Sequence, residues 1–252
     1  MPDINFDRFK NLGYDSFRAL AQDETLSRHE KVGFPDSYRE GKGEVILADI
    51  LQKLTNLHQE KQVVVDIGAG CSDVPLLMIE LCREHGHTYI PIDSQEMLDL
   101  LPDDSFIIKT PGYFPDECTA LLDEYRGRVD VVLMYGVIQV VFMEGNIYRF
   151  MDQSLSLLAD GGQLLVGDMA NISKRKRFFS SRNGISFHQN FMETTDAPHV
   201  EFNVPEPAYM DDAVIISLLM RARAAGFDAY LVPQNADLPM ANRREDLLFY
   251  KP

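Results

Sequence analysis

Two carboxylates and two glycines stand where this chain could do chemistry, in Asp66-Ile67-Gly68-Ala69-Gly70-Cys71-Ser72-Asp73, entered from the apolar run Val63-Val64-Val65. An apolar run that ends in an acid and turns through spaced glycines reads as a buried strand feeding a helix, the kind of turn that holds nucleotide-like ligands. Gly68 and Gly70 permit positive φ, where a Cβ would add roughly 1–2 kcal/mol of strain, and let the backbone approach a ligand. A dinucleotide site would need a third glycine at position 73. Asp73 stands there instead, and a carboxylate beside a pyrophosphate is repulsive. Acids on both flanks of the turn suit a ligand that carries a cationic sulfonium and an α-amino group and no phosphate. S-adenosylmethionine is such a ligand.

A second short apolar run, Thr88-Tyr89-Ile90-Pro91-Ile92, ends in Asp93. A carboxylate at a strand tip there can accept both hydroxyls of a ribose. With Asp-Ile-Gly-Ala-Gly (66–70), Asp-Ser-Gln-Glu-Met-Leu (93–98), Val-Asp-Val-Val-Leu-Met-Tyr-Gly-Val-Ile (129–138) and Leu-Leu-Ala-Asp-Gly-Gly-Gln-Leu-Leu-Val-Gly-Asp (157–168) in that order, the chain from about residue 45 onward resembles the class I S-adenosylmethionine-dependent methyltransferases. It is also similar, at Lys31–Arg39 and across 169–190, to methyltransferases associated with bacterial surface-polysaccharide loci. The resemblance implies S-adenosylmethionine as cofactor, cradled by Gly68, Ala69 and Gly70. Asp66 would hold the methionyl amino group, Asp93 and Ser94 the ribose, and Met97 would pack on the adenine. Tyr135-Gly136 follow the fourth strand, where the family's cofactor and substrate meet. Two departures stand out: Ser72 replaces the third glycine of the family's motif, and Thr110-Pro111-Gly112-Tyr113 lacks the acid that often meets the adenine amine. Backbone groups at Gly112 and Tyr113 would serve there instead.

For the methyl acceptor, the densest signal is Lys174-Arg175-Lys176-Arg177 with Arg182, five of 24 basic residues within nine positions of a chain whose net charge is −15. Arginine presents a planar fork that matches phosphate or carboxylate, and the adjacent Phe178, Phe179 and Phe187 could stack on a base or sugar face. Lys174, Arg177 and Arg182, with Tyr38 and Arg39, are therefore the expected substrate contacts, and the expected acceptor is a small anion of sugar or nucleotide-sugar type. A base is needed only when the acceptor must lose a proton. His188, which shares the loop with the arginines, is the first candidate and Asp168 the second, ahead of His199 and Tyr113. No Asn-Pro-Pro-Tyr signature and no Pro-Cys pair follows the fourth strand, which argues against methylation of nucleic-acid bases. Two other functions compete. A nicotinamide-dependent oxidoreductase is opposed by Asp73, and a non-catalytic methyltransferase-fold partner in a biosynthetic complex by the retention of Asp66, Gly68, Gly70 and Asp93.

The elements that must position these residues follow from period and punctuation. Strand-like runs recur at 63–67, 88–92, 105–109, 130–134, 163–167, 228–232 and 246–250, most of them separated by helical periods, as in a mainly parallel sheet covered on both faces. Helices are expected over Val74–His85 with Asp73 as N-cap, over Glu144–Ala159 with a stop at Gly161-Gly162, and over Asp211–Ala225. The link between the last two strands is too short for a parallel crossover, so they must run antiparallel. The expected architecture is a Rossmann-like α/β fold with seven strands, one reversed; the order 3-2-1-4-5-7-6 is implied by the resemblance. Residues 1–252 are read as one domain, with 1–60 an N-terminal helical cap and 169–210 an insertion, both able to cover the pocket. With 39 acids against 24 bases the chain should avoid nucleic acid and anionic lipid, and its apolar runs are too short for a membrane span. Cys71, Cys82 and Cys118 show no metal-like spacing, no metal is expected, and reduced thiols in a cytoplasmic protein are the simplest reading. A homodimer is compatible with all of this.

Overall fold

The computed structural model describes residues 12–252. Before the sheet come α1 (Tyr14–Gln22), α2 (Arg28–Lys31), α3 (Asp36–Arg39) and α4 (Gly43–Lys53). There follow β1 (Val63–Ile67), α5 (Asp73–His85), β2 (Thr88–Asp93), α6 (Gln95–Leu98), β3 (Thr110–Pro111), α7 (Thr119–Tyr125) and β4 (Val129–Tyr135). The remainder is α8 (Ile138–Glu144), α9 (Ile147–Ser156), β5 (Leu158–Ala170), α10 (Ile172–Phe179), α11 (Arg182–Met192), α12 (Asp212–Ala224), β6 (Asp228–Pro233) and β7 (Arg244–Tyr250). The N-terminal part of the expected helical cap, residues 1–11, lies outside the described residues.

All seven strands form one sheet in the order β3-β2-β1-β4-β5-β7-β6, with β7 antiparallel to both of its neighbours and the other pairings parallel. The central strands are apolar on both sides because both sides are covered. Val65, Val132 and Leu164 point into a core shared with α8, α9 and α12, whereas Val64, Val131, Leu133 and Leu165 point into a second core beneath α4 and α5. Among the described residues no helix is long and apolar enough to cross a membrane.

Local chemistry moved four of the expected boundaries. The third strand is the pair Thr110–Pro111 alongside Ile92–Asp93, and the expected run 105–109 meets β2 only at an isolated Tyr89–Ile107 bridge. The Asp104 carboxylate turns that run by accepting the Ser105 N–H at 2.6 Å. The expected helix over 144–159 is broken at Gly145-Asn146: Gly145 is extended, and the Asn146 side chain accepts the Arg149 N–H at 3.0 Å to start α9 afresh. Leu158 then begins β5, so Gly161-Gly162 lie in the strand rather than past a helix. Ser72 holds the N-cap of α5 and Asp73 its first turn, where an acid favours the positive helix end. The first half of the insertion carries two helices, α10 and α11, each opening on a side-chain cap, Asn171 and Ser181 respectively.

A buried charge network ties the early helices to the sheet. Lys53 of α4 donates to Asp246 of β7 at 2.6 Å and also pairs with Asp49, and both acids are buried. Replacing Lys53 by Met strands two buried carboxylates, and breaking a buried pair from one side costs about 3–5 kcal/mol. Urea unfolding of Lys53→Met should show a loss of that order; a loss under about 1 kcal/mol would mean that water already solvates the two acids.

Candidate active site

Parallel pairing sets Asp66 beside Pro91 and Leu133 and Ile67 beside Ile92, so β1, β2 and β4 end together. The chain leaves that edge through Gly68 at φ +70° and Gly70 at φ +67°. Neither position has room for more: a Cβ on Gly68 would lie 2.6 Å from Val137 Cγ2, and one on Gly70 2.8 Å from Val32 Cγ1. The turn is thereby pressed between α8's approach and the N-terminal helices.

Asp93 is fixed by backbone alone, its carboxylate accepting the Gly70 N–H at 2.8 Å and the Ser94 N–H at 2.7 Å. Asp66 is buried and accepts the Tyr89 hydroxyl at 2.7 Å. Burial pushes the Asp66 carboxyl up to about 7, against the Tyr89 hydrogen bond, with the Asp93 charge adding to the rise. Burial likewise pushes Asp93 up to about 6, opposed by its two backbone donors. Among the described residues no cation pairs with either acid.

A cavity of about 160 Å³ opens over this turn, and Asp66, Gly68, Ala69, Gly70, Asp93, Met97, Gly112, Tyr113, Tyr135 and Gly136 all line it. Ser94 does not; it is buried as the N-cap of α6, its hydroxyl accepting the Met97 N–H at 3.3 Å. Asp73 does not either, turning instead toward His29, with Nε2 and Oδ2 3.4 Å apart. The N-terminal segment contributes Tyr14, Phe17, Val32, Phe34 and Arg39 to the wall. Apart from Arg39, expected as a substrate contact, none of these was expected at the site, because nothing local in the sequence ties α1 or the turn at 32–35 to the distant strand tips.

A second cavity, of about 530 Å³, shares Phe17, Val32, Phe34, Gly136 and Val140 with the first. Its polar wall is Gln139, Asn171, Arg175, Glu206, Arg243 and Arg244. The residues expected to bind substrate are mostly elsewhere. Arg177 pairs with Asp212 at 2.5 Å, Lys174 donates to the Arg244 carbonyl at 2.7 Å, and Arg182 is exposed at the start of α11. Tyr38 packs near Phe191, with ring centroids 6.3 Å apart, and Arg39 lines the first cavity. On α10 the neighbouring Arg175 is the one turned to the cavity. Arg243 comes from the loop before β7 and Arg244 opens that strand, and neither was expected at the site.

Neither expected proton acceptor lines either cavity. His188 sits on α11 with its ring edge-on to Phe179 at 6.2 Å. Asp168 is buried at φ +58°, and Arg39 at 2.5 Å and Arg244 at 2.9 Å both bind the same carboxylate oxygen. One oxygen of that carboxylate is taken up by two guanidinium groups, and its evident work is to aim those arginines. His199 is exposed near Glu201. Opposite Tyr135 on the neighbouring strand stands Gly167, where a Cβ would fall 2.4 Å from the Tyr135 ring.

No protein-family model and no curated protein matches the chain. Solved structures do. The CurJ carbon methyltransferase superposes with a TM-score of 0.57 at 15% identity over 94% of this chain, which spans 64% of that one. An O-methyltransferase family protein from Burkholderia thailandensis gives 0.54 at 14% identity, covering 95% of this chain and 62% of that one. A SAM-dependent methyltransferase from Archaeoglobus fulgidus gives 0.52 at 13%, covering 86% and 97%. The chain therefore spans less than two thirds of the CurJ and Burkholderia chains. At these identities the likeness is one of fold, and the fold is that of the S-adenosylmethionine-dependent methyltransferases.

The raised carboxyl of Asp66 makes stability depend on pH with a definite sign. With a folded-state pKa near 7 and an unfolded one near 3.8, the folded chain holds the extra proton between those values, so stability falls as pH rises through that window and the full cost is present above it. Asp66→Asn removes the cost. Its stability relative to wild type, from urea melts, should grow from pH 5 to pH 8 toward a gain of up to about 4 kcal/mol. A difference independent of pH would show that Asp66 ionises freely in the fold.

Proposed function

We propose that the chain is an S-adenosylmethionine-dependent methyltransferase whose acceptor is a small anion. The observation that carries this reading is a buried Asp66 and a half-buried Asp93 at the glycine turn, without a cationic partner among the described residues, in a cavity that shares one wall with a second, arginine-lined cavity. Charge selects the cofactor. Holding Asp66 buried and Asp93 half-buried without a counter-charge is costly, and a ligand bearing an ammonium and a sulfonium removes that cost where a pyrophosphate would add to it.

The residues present fit that cofactor. Asp66 would hold the methionyl ammonium, Asp93 has a carboxylate fixed by two N–H donors and free to accept ribose hydroxyls, and buried Met97 offers a polarizable face to adenine beside Gly112 and Tyr113. When bound, the cofactor supplies a methyl group on an already activated sulfur. This chain's own work is then to bring the acceptor in line and keep water out. Phe17, Val32, Phe34, Gly136 and Val140, the wall common to both cavities, carry no side chain that titrates, so they orient and dry the junction rather than deprotonate an acceptor. His188 and Asp168, outside both walls, drop out of this reading as bases. The anionic acceptor rests on the surplus of arginine over acid in the second cavity within a strongly acidic chain. A phosphorylated sugar or nucleotide sugar meets that requirement through its phosphate.

Calorimetry should detect binding of S-adenosylhomocysteine to the purified protein, and Asp93→Ala should weaken it by about ten-fold to a hundred-fold, the worth of hydrogen bonds to a charged acceptor. Tight NADH binding with no response to S-adenosylhomocysteine would return the site to the oxidoreductases.

A further inference from the structure

The second cavity holds more positive charge than its surroundings neutralise. Arg244 is matched by Asp168 at 2.9 Å, and Glu206 is already paired with Lys176. Arg175 and Arg243 remain. Among the described residues neither has a carboxylate within ion-pair distance, and the one polar side-chain contact of Arg243 is the Asn242 amide oxygen at 3.1 Å. Both guanidinium groups lie against the same ring, with Cζ 5.1 Å from the Phe179 centroid for Arg175 and 5.9 Å for Arg243. Two like charges around one aromatic ring repel each other, and Arg244 adjoins them. Burial with these neighbours depresses the Arg243 guanidinium below its ordinary range, although Tyr38 and Asp168 act the other way.

A protein this acidic has counter-charge to spare, yet among the described residues it places no carboxylate within ion-pair distance of these two arginines. Arg177, two positions along the same helix, shows the ordinary solution by pairing with Asp212. Resting on the methyltransferase reading of the adjoining cavity, we infer that Arg175 and Arg243 form a specificity clamp for an oxyanion of the acceptor, a carboxylate or a phosphate, with Phe179 as the surface between them. The planar forks of two arginines can meet such a group from two sides, which fixes its direction as well as its charge. The clamp and the cofactor acids then lie on opposite sides of the shared apolar wall, so the oxyanion end of the acceptor is held away from the cofactor and its other end is presented to it.

The test uses the full chain saturated with S-adenosylhomocysteine, with saturation verified by calorimetry. Benzoate, glucose 1-phosphate and inorganic phosphate are the probes, the first standing for a carboxylate and the others for a phosphate with and without a sugar. At least one should bind, and its affinity should fall by about tenfold or more in Arg243→Gln and in Arg175→Gln, while Arg177→Gln keeps wild-type affinity. A second measurement needs no ligand: Arg243→Met should raise the melting temperature of the free protein, because it removes a charge held without a counter-charge. Binding of none of the probes, equal affinity in the arginine variants, or a lowered melting temperature in Arg243→Met overturns the clamp. In each case intact S-adenosylhomocysteine binding leaves the methyltransferase reading standing. Loss of that binding in the wild type, with probe affinity still dependent on Arg175 and Arg243, sinks the methyltransferase reading and keeps the clamp.

Discussion

Asp168 is where three separated parts of the chain meet on one carboxylate. It occupies the left-handed region at φ +58°, which aspartate tolerates better than most residues, at a place where the pairing of β5 with β7 shifts register. The shift turns its side chain toward Arg39 of α3 and Arg244 of β7, while its backbone N–H donates to Asp246 at 2.8 Å. Asp246 in turn meets Lys53, which meets Asp49. Three acids and three bases thus neutralise one another in the interior, and they come from α3, α4, β5 and β7. An arrangement of that kind contributes little net stability when intact, yet it tolerates no missing member. What it secures is placement: the helices that precede β1 cannot slide over the strand tips without separating buried charges.

The two cavities are opposites in electrostatic terms, and the contrast follows from that placement. Over β1 and β2 Asp93 takes its donors from the backbone and Asp66 from the Tyr89 hydroxyl, neither meets a cation among the described residues, and desolvation raises both carboxyls toward neutrality. Across Phe17, Val32 and Phe34 the surplus is reversed, with guanidinium groups in place of carboxylates. The apolar partition keeps the two sets of charges out of contact, and among the described residues no guanidinium of the second cavity pairs with Asp66 or Asp93. A ligand with a positive head and one with a negative tail are thereby directed to different sides of one wall.

The sheet was legible because its signals are local and redundant. Val63–Ile67 and Thr88–Asp93 are each too apolar for a half-exposed strand, each ends in an acid, and the glycines after the first leave the chain one way to turn. That Asp66, Gly68, Gly70 and Asp93 would share one cavity was readable for the same reason, since they lie within or next to those strands. The lining of the second cavity was not. Arg175 and Arg177 are equivalent by composition, and only the helical phase of α10, fixed by an Asn171 cap and an Asp212 partner far along the chain, sets one on the wall of the second cavity and leaves the other paired with Asp212. Arg243 carries no local mark at all. Its meaning comes from long-range packing of the loop before β7 against α10, and the helix expected over Glu144–Ala159 is shorter at both ends because the Asn146 cap starts α9 at Ile147 and β5 begins at Leu158.

Gly167 imposes a condition that reaches beyond this one molecule. It faces Tyr135 across neighbouring strands, and the volume a side chain would need there is already filled by the tyrosine ring. The two positions therefore share a fixed allotment of space at the mouth of the first cavity. Among descendants of a common ancestor they cannot drift independently: an aromatic residue at the tip of β4 requires glycine opposite, and a larger residue opposite requires the aromatic to shrink. Correlated replacement at this pair, small against large, would be the evolutionary trace of the same packing that shapes the cavity floor.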